Sequence, residues 1–316
     1  MAAVELFDQI LQAGFFAAAI RVAAPLLCAT IGEMFCERAG VLNLGIEGIM
    51  LLGAMFGFTV AYFTGNLWLG MAAAATAGIA FGVLMGVLTV TLGLSQHVSG
   101  LGVTMLCSGL AFYCYRLVFG QPTQPPNVDA FATLAVPLLA DIPFLGSVLF
   151  DHVVLVYMVF ALVPLAAWLL YRTPWGLALR TVGENPHAAA DAGINVAWMR
   201  YQALMISGAL FGIAGAYFSL AQFNAFTFGV ISGRGWVCIA LVVLGRWDPW
   251  RCALAALLFG AVDALQLRLQ SSGAIDLPYQ LFLMLPFLAT VLAMAMLARS
   301  AHAPSALLVP YRREER

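Results

Sequence analysis

The stretch RTPWGLALRTVGENPHAAADAGINV (residues 172–196) interrupts a mostly apolar chain and carries clustered positive charge. Thr173-Pro174 and Asn185-Pro186 are each typical of a helix cap followed by the first helical residue, where the missing N–H of proline costs nothing. Gly193 stands where a helix stop is expected, because glycine adopts the left-handed conformation without strain. The pattern predicts a short helix over 186–192. This helix is either an ordinary capped loop helix or a docking site for another protein.

The composition of the chain predicts a membrane protein. The 316 residues are 63% hydrophobic and 9% charged, whereas a soluble domain has about 25% charged residues. Most of the surface must therefore face something other than water, which indicates a polytopic helical membrane protein. The net charge of −1 gives no reason to expect a nucleic-acid partner.

The basic residues exclude one route to ATP hydrolysis. All 14 are arginine, and the chain contains no lysine. A phosphate-binding loop of the form G-x-x-x-x-G-K-[ST] therefore cannot occur. If ATP drives transport here, another polypeptide must hydrolyse it.

Apolar runs of about 20 residues indicate membrane-spanning helices. We predict an all-α membrane bundle of about nine spans, with a range of about eight to ten, that forms one domain over residues 1–316. The seventh span is too short to cross alone, because Gly233-Arg234-Gly235 interrupts the apolar run before it. This interruption predicts a broken or half helix, which is tolerated in a membrane where it lines a cavity or is buried in protein. The predicted spans are 12–31, 41–63, 67–92, 98–119, 152–171, 199–222, 235–247, 251–270 and 279–298.

The distribution of arginine predicts the orientation, because cytoplasmic loops are enriched in positive charge. Alternating spans leave only Arg116, Arg234 and Arg268 near the outer face. We therefore expect the C-terminus to be cytoplasmic, and we expect Arg38 to pair with a neighbouring acid at the cytoplasmic edge. The arginines expected on or beside the cytoplasmic face are Arg38, Arg172, Arg180, Arg200, Arg246, Arg251, Arg299, Arg312, Arg313 and Arg316.

Polar side chains inside the predicted spans are candidates for a solute path, because burying them in lipid costs free energy unless they are paired. These side chains either line the solute path or form bonds that hold neighbouring helices together. We favour a structural bond for Glu47, whereas Asp263 and Gln266 are balanced between the two roles. The spacing of Asn43 and Glu47 places both on one helical face. The path candidates are Asn43, Glu47, Ser99, Thr104, Ser108, Gln222, Asn224, Arg234, Trp236, Asp263 and Gln266.

Other patterns concern packing and catalysis. The small-residue runs GMAAAATAGIAFGVLMGV (70–87) and SGALFGIAGAYFS (207–219) predict close helix packing. The four histidines are scattered, and no H-E-x-x-H or G-x-S-x-G motif is present. The six cysteines form no C-x-x-C pair, so we expect no metal site. Because the catalytic motifs are also missing, we expect no cofactor and no catalytic residue.

Six stretches resemble the permease subunits of ATP-binding-cassette (ABC) importers. The resemblance is to the branch that serves ribose, other simple sugars, branched-chain amino acids and nucleosides. It is strongest to the nucleoside permeases that work with basic-membrane-lipoprotein receptors. The matching stretches are ERAGVLNLGIEGIMLLGA (37–54), HVSGLGVTMLCSGL (97–110), RTPWGLALRTVGENPHAAADAGINV (172–196), SGRGWVCIALVVLGRWDP (232–249), FGAVDALQLRLQ (259–270) and APSALLVPYRREER (303–316).

The resemblance implies a role for residues 172–196, named here the coupling segment. GENPHAAADAGI (183–194) is similar to the helix that docks on the nucleotide-binding subunit, although the family usually has a basic residue at the position of His187. Replacing Glu184 with alanine or Gly193 with proline is expected to abolish uptake without preventing insertion. The expected contacts with the ATPase are Glu184, Asn185, Pro186, His187, Ala188, Asp191 and Gly193.

The resemblance also implies the assembly and its activity. The partners are a second permease subunit, often a different chain, an ATPase with a duplicated cassette, and an external lipoprotein or periplasmic receptor. The chain itself would be a multi-pass protein of the cell inner membrane without catalytic residues. Nucleoside import by alternating access is the expected function. The alternatives are a permease for simple sugars such as ribose and, less favoured, an ion-coupled secondary transporter.

Overall fold

The computed structural model describes residues 13–122, 124, 126–135, 137, 142–272, 279–297 and 302–311. The architecture is predominantly helical, and α3 and α9 each end in a π-helical turn, at Val87–Thr91 and Phe218–Gln222. The helices are α1 Ala13–Arg38, α2 Ile46–Thr64, α3 Leu67–Gly86, α4 Gln96–Phe119, α5 Leu145–Leu149, α6 Val154–Arg172, α7 Pro174–Glu184, α8 Pro186–Asp191, α9 Val196–Tyr217, α10 Arg234–Leu244, α11 Pro249–Ser272 and α12 Tyr279–Leu297.

Seven helices in the described part of the chain are long and apolar enough to cross a membrane. They are α1, α2, α4, α6, α11, and the helices α3 and α9 with their π-helical turns. The helix α10 has only 11 residues, so the predicted seventh span is indeed too short to cross alone. The apolar part of α12, Gln280–Met296, lies at the short end of the range for a span. The structure thus supports a polytopic bundle, and the count of about nine stays a prediction.

Helix α9 is the central packing element, since it contacts α1, α2 and α3 along much of its length. It approaches α3 closely, so that a Cβ atom on Gly208 would collide with the carbonyl oxygen of Gly78. A Cβ on Gly78 would collide with Gly208 in the same way. The prediction that the small-residue runs allow close helix packing is therefore confirmed. Such backbone proximity is how helices associate in lipid, where apolar surface gives no drive toward association.

A second group of helices packs beside this core. Helix α11 lies along α1 and also contacts α12, while α10 contacts α1, α11 and α12. Helix α1 is almost entirely buried from Val22 to Glu37. In contrast, α4 leaves a row of large apolar side chains exposed, including Val98, Met105 and Leu117. Exposed apolar side chains of this kind suit a surface that faces lipid.

The segment between α4 and α6 contains the only strands among the residues that the structure describes. Strands β1 (Thr133–Ala135) and β2 (Asp151–Val153) pair antiparallel, which is a small departure from the expected all-α fold. Asn127 forms an isolated bridge with Ala225, so this segment lies next to the chain between α9 and α10. The apolar run 131–140 predicts an interfacial or partly re-entrant piece, and this stays a prediction because residues 136 and 138–140 lie outside the described part.

Two expectations about single residues are wrong. Asn43 and Glu47 do not share a helical face, because Asn43 precedes α2, which begins at Ile46. Arg38 pairs with no acid among the described residues; its Nε and Nη2 atoms instead donate to the carbonyl oxygen of Trp247 at 3.0 and 2.8 Å. Arg299, Arg312, Arg313 and Arg316 lie outside the described residues, so their expected placement is untested.

Candidate functional site

A cavity of about 600 Å³ lies between the loop before α10, the first residue of α10, and the middle parts of α11 and α12. It combines one acid, one base, two amides and three aromatic rings. Its polar and aromatic lining consists of Thr227, Ser232, Arg234, Asp263, Gln266, Gln270, Phe223, Phe259 and Phe287.

An ion pair crosses this cavity. Nη2 of Arg234 lies 3.4 Å from Oδ2 of Asp263, and the Asp263 side chain is 8% exposed. The Arg234 guanidinium also lies over the ring of Phe218, 5.5 Å from its centroid. Gln266, one turn along α11 from Asp263, is buried as well. The structure thus brings together Arg234, Asp263 and Gln266, which lie on two different elements.

Glu47 fixes the position of Arg234 through the backbone. Its Oε1 atom accepts from the N–H of Gly233 at 2.8 Å, and its Oε2 atom accepts from Gly235 at 2.7 Å. These donors lie at the N-terminus of α10, where N–H groups have no partner within the helix. A carboxylate there is also favoured by the helix dipole. Glu47 therefore acts as a cap supplied by another helix, which is the structural bond that we favoured.

The remaining path candidates lie outside this cavity. Asn43 accepts from the N–H of Gly45 at 3.0 Å, and Thr104 donates to the carbonyl oxygen of Leu44 at 2.8 Å, so both organise the entry to α2. Ser99 is buried and Ser108 is half-buried, both on α4. Gln222 and Asn224 flank Phe223 without lining the cavity, and Trp236 projects from α10 with 37% of its surface exposed. A role for these residues in the path stays a prediction.

Six of the polar and aromatic lining residues were not among the sequence candidates, and they include Gln270, Phe259 and Phe287. Gln270 could have been found, because Asp263, Gln266 and Gln270 are spaced by three and four residues and so share one face of α11. Phe259 and Phe287 carry no such signal, since a phenylalanine in an apolar span is most often a packing residue. Only the fold shows that these rings border a cavity.

The coupling segment has the local structure that its sequence predicts. The Thr173 hydroxyl accepts from the N–H of Gly176, which begins α7, and the Asn185 side chain accepts from the N–H of Ala188, which begins α8. Gly193 has φ +85°, in the left-handed region. The N–H groups of Gly193 and Ile194 donate to Ala190 and Ala189, which is the Schellman arrangement at a helix end.

Helix α8 offers an exposed face for contact with another protein. Asn185, His187, Ala188, Asp191 and Gly193 are exposed, whereas Ala189 is buried against the rest of the chain. Pro186 is half-buried, and Glu184 at the end of α7 is exposed. All seven predicted contact residues thus lie on one short, capped stretch. Whether they contact an ATPase stays a prediction.

The sequence matches a known family over most of its length. Residues 15–298 match the family described as "Branched-chain amino acid transport system / permease component". The chain belongs to this permease family. As a permease component it is the membrane part of a transport system, and ATP hydrolysis belongs to a separate subunit.

The permease is similar to curated transport proteins from archaea and bacteria. It is 39% identical over 84% of its length to TsgC13 of Haloferax volcanii, provisionally named a glucose ABC transporter permease protein, and covers 80% of that protein. It is 35% identical over 92% of its length to NupQ of Bacillus subtilis, a guanosine ABC transporter permease protein, and covers 93% of it. NupC of Lactococcus lactis, a nucleoside ABC transporter permease protein, is 35% identical over 91% of the permease, with 93% of NupC covered. No solved structure is significantly similar to the permease.

The cavity and the coupling segment lie toward opposite ends of the permease. Helix α11 starts at Pro249, next to Asp248, which accepts from the Tyr171 hydroxyl at 3.0 Å just before the coupling segment. Asp263 follows Pro249 by 14 residues, or about 21 Å of helix at about 1.5 Å per residue. Any signal between the two sites must therefore pass through the membrane helices.

Proposed function

We propose that this permease imports nucleosides as part of an ABC transporter that works by alternating access. The observation that carries the proposal is the cavity around Arg234 and Asp263, which combines hydrogen-bonding groups with aromatic faces inside the bundle. The names of NupQ and NupC, which the chain matches over more than nine-tenths of its length, support the same substrate class.

The cavity suits the chemistry of a nucleoside. Its volume of about 600 Å³ falls within the range of about 300–1,000 Å³ typical of small-molecule sites. The rings of Phe223, Phe259 and Phe287 offer faces for a nucleobase. The carboxylate of Asp263 accepts hydrogen bonds from ribose hydroxyls, while the amide of Gln266 both donates and accepts.

The proposed assembly contains partners that provide energy and deliver substrate. A second permease subunit completes the translocation path, an ATPase with a duplicated cassette docks on the coupling segment, and an external receptor delivers the nucleoside. ATP binding closes the ATPase, the movement of α8 repacks the spans, and the path opens outward; hydrolysis resets it. This is a coupling of binding free energies between distant sites.

In the proposed orientation, the permease lies in the cell inner membrane. The coupling segment and the C-terminus then face the cytoplasm. This orientation is supported by the arginines Arg38, Arg172, Arg180 and Arg251, which lie at or near the helix ends on the coupling side. The bundle crosses the membrane with about nine helical segments, of which α10 is a half helix.

A sugar permease of the same fold is the second candidate, because TsgC13 is provisionally named for glucose. A sugar would use the same carboxylate and amides but has no base to stack on the phenylalanine rings. Competition for uptake separates the two candidates. The complete transporter is reconstituted with ATP, and uptake of labelled guanosine is challenged with adenosine, ribose and glucose. The proposal predicts competition by adenosine alone; competition by glucose or ribose in its place would support the sugar permease.

The role of the cavity is tested by Asp263→Asn, which keeps the size of the side chain and removes its charge. Since hydrogen bonds to charged groups contribute about 1.5–3 kcal/mol, we expect the guanosine concentration for half-maximal uptake to rise by about tenfold or more. Thr76→Ala is the control, because Thr76 is an exposed polar residue on the membrane helix α3, outside the cavity and not among the path candidates. Equal effects of the two variants would show that the cavity is not the solute site.

A further inference from the structure

The described C-terminal residues 302–311, named here the tail, lie against the coupling segment. The N–H of Ala306 donates to the carbonyl oxygen of Gly183 at 2.9 Å. The N–H and the hydroxyl of Ser305 both donate to Oε2 of Glu184, at 3.3 and 3.1 Å. Ala306 is 5% exposed. The end of α7 is therefore bonded to the tail through both backbone and side chain.

The tail also reaches the neighbouring elements. The ring of Tyr311 meets the ring of His187 on α8 edge-on, with 5.1 Å between centroids. On α9, the buried Arg200 donates through Nη1 and Nη2 to the carbonyl oxygen of Val309, each at 3.4 Å. Its Nε atom donates to the carbonyl oxygen of Ala39, just after α1, at 3.2 Å. Arg200 thus joins the tail to two membrane helices.

These contacts give the coupling segment a support that its own sequence does not provide. Helix α8 has six residues and is separated from α7 by the break at Asn185. So short a helix is marginal in isolation, because few hydrogen bonds offset the cost of nucleation. A force on α8 moves the membrane helices only if the segment is held rigidly to them. The tail contacts α7, α8 and α9 together, so it is placed to provide this rigidity.

We propose that the tail is a strap that positions the coupling segment, and that Glu184 acts through Ser305 as a positioning residue. The sequence assigned Glu184 to direct contact with the ATPase, whereas the structure turns one of its carboxylate oxygens toward the tail. The proposal rests on the proposed function, since it concerns the docking of the ATPase. It adds a contribution of the C-terminus to energy coupling.

Two substitutions at one position separate these roles. Glu184→Gln keeps an acceptor oxygen for Ser305 but removes the charge, whereas Glu184→Ala removes both. In the complete transporter we expect ATP-driven uptake to fall by about tenfold in E184A, within the range of coupling between distant sites, and to stay within about twofold of wild type in E184Q. A charge contact with the ATPase would instead impair both variants equally, which would overturn the proposal.

Hydrogen exchange provides a readout that does not depend on transport. In the reconstituted transporter, amide exchange in 183–191 and 302–309 should be faster in E184A than in wild type, and unchanged in E184Q. Ser305 is exposed, and Ser305→Ala removes only the hydroxyl donor, so we expect a smaller increase in the amide exchange rate. This variant replaces E184A in the test if E184A does not insert into the membrane. Unchanged exchange in both E184A and S305A would refute the strap. Absence of nucleoside uptake in the wild type would refute the proposed function instead, while the exchange comparison would still decide the role of the tail.

Discussion

At the scale of single residues, Glu47 shows how one carboxylate organises the candidate site. It accepts two backbone N–H groups at the start of α10, and the residue between those donors is Arg234, which pairs with Asp263. The ion pair is therefore positioned by a side chain that does not line the cavity. Because the first N–H groups of a helix have no partner within the helix, Glu47 satisfies two donors that would otherwise be costly to bury.

We predict that Glu47→Ala lowers the free energy of unfolding by about 1–3 kcal/mol, because two bonds to a charged acceptor are lost, and that it also impairs uptake. Asn66→Ala is the control. Asn66 caps α3 at an exposed position, so its loss should cost about 1 kcal/mol without affecting uptake. Thermal unfolding in detergent and uptake in proteoliposomes measure the two effects. Normal uptake in E47A would show that Arg234 needs no such support.

His152 makes stability depend on pH. It is buried beside β1, with Nε2 at 2.8 Å from the carbonyl oxygen of Val148. Burial is the main cause that lowers the pKa of His152 from its usual value of 6.5, because the charged imidazolium loses hydration; Arg21 acts in the same direction, against Val148 and Asp151. The folded state therefore holds neutral histidine, and its stability is present above about pH 6.5 and falls as the unfolded chain takes up the proton.

The expected measurement is a drop in unfolding temperature between pH 7 and pH 5 that is steeper in wild type than in His152→Gln. Glutamine keeps a hydrogen-bond donor for Val148 but does not titrate. Parallel pH profiles for the two proteins would assign the acid sensitivity to other groups.

At the scale of elements, the contact between α3 and α9 determines whether the bundle can form. We predict that Gly208→Ala sharply reduces the amount of folded protein, because its Cβ would meet the backbone oxygen of Gly78, which cannot move aside like a side chain. Gly109→Ala is the matched control, since a Cβ at Gly109 on α4 has no neighbour within 4 Å. Size-exclusion profiles of both variants test this, and a normal profile for G208A would contradict the proposed packing.

Elements also differ in how far the sequence predicts them. The caps at Thr173 and Asn185 and the stop at Gly193 depend on residues within one helical turn, so local rules are sufficient. The cavity depends on contacts between α2, α10, α11 and α12. Glu47 and Gly233 are 186 residues apart, and nothing in the spacing of either segment identifies the other. Polar residues such as Thr104 therefore resemble site residues in sequence, although Thr104 bonds to the backbone at Leu44.

At the scale of the whole molecule, membrane helices separate the cavity around Arg234 and Asp263 from the coupling segment. The chain has no lysine and so no phosphate-binding loop of the usual form. In the proposed function, a separate ATPase therefore supplies the energy for transport through the coupling segment. This arrangement distinguishes an ABC permease from a secondary transporter, in which one chain both binds the solute and uses an ion gradient.

The most direct test of this account compares two energy sources. Guanosine uptake is measured in vesicles that contain either the complete transporter with ATP, or this chain alone with a proton or sodium gradient and no ATP. The account predicts uptake in the first vesicles and none above background in the second. Accumulation of guanosine driven by an ion gradient through this chain alone would contradict it.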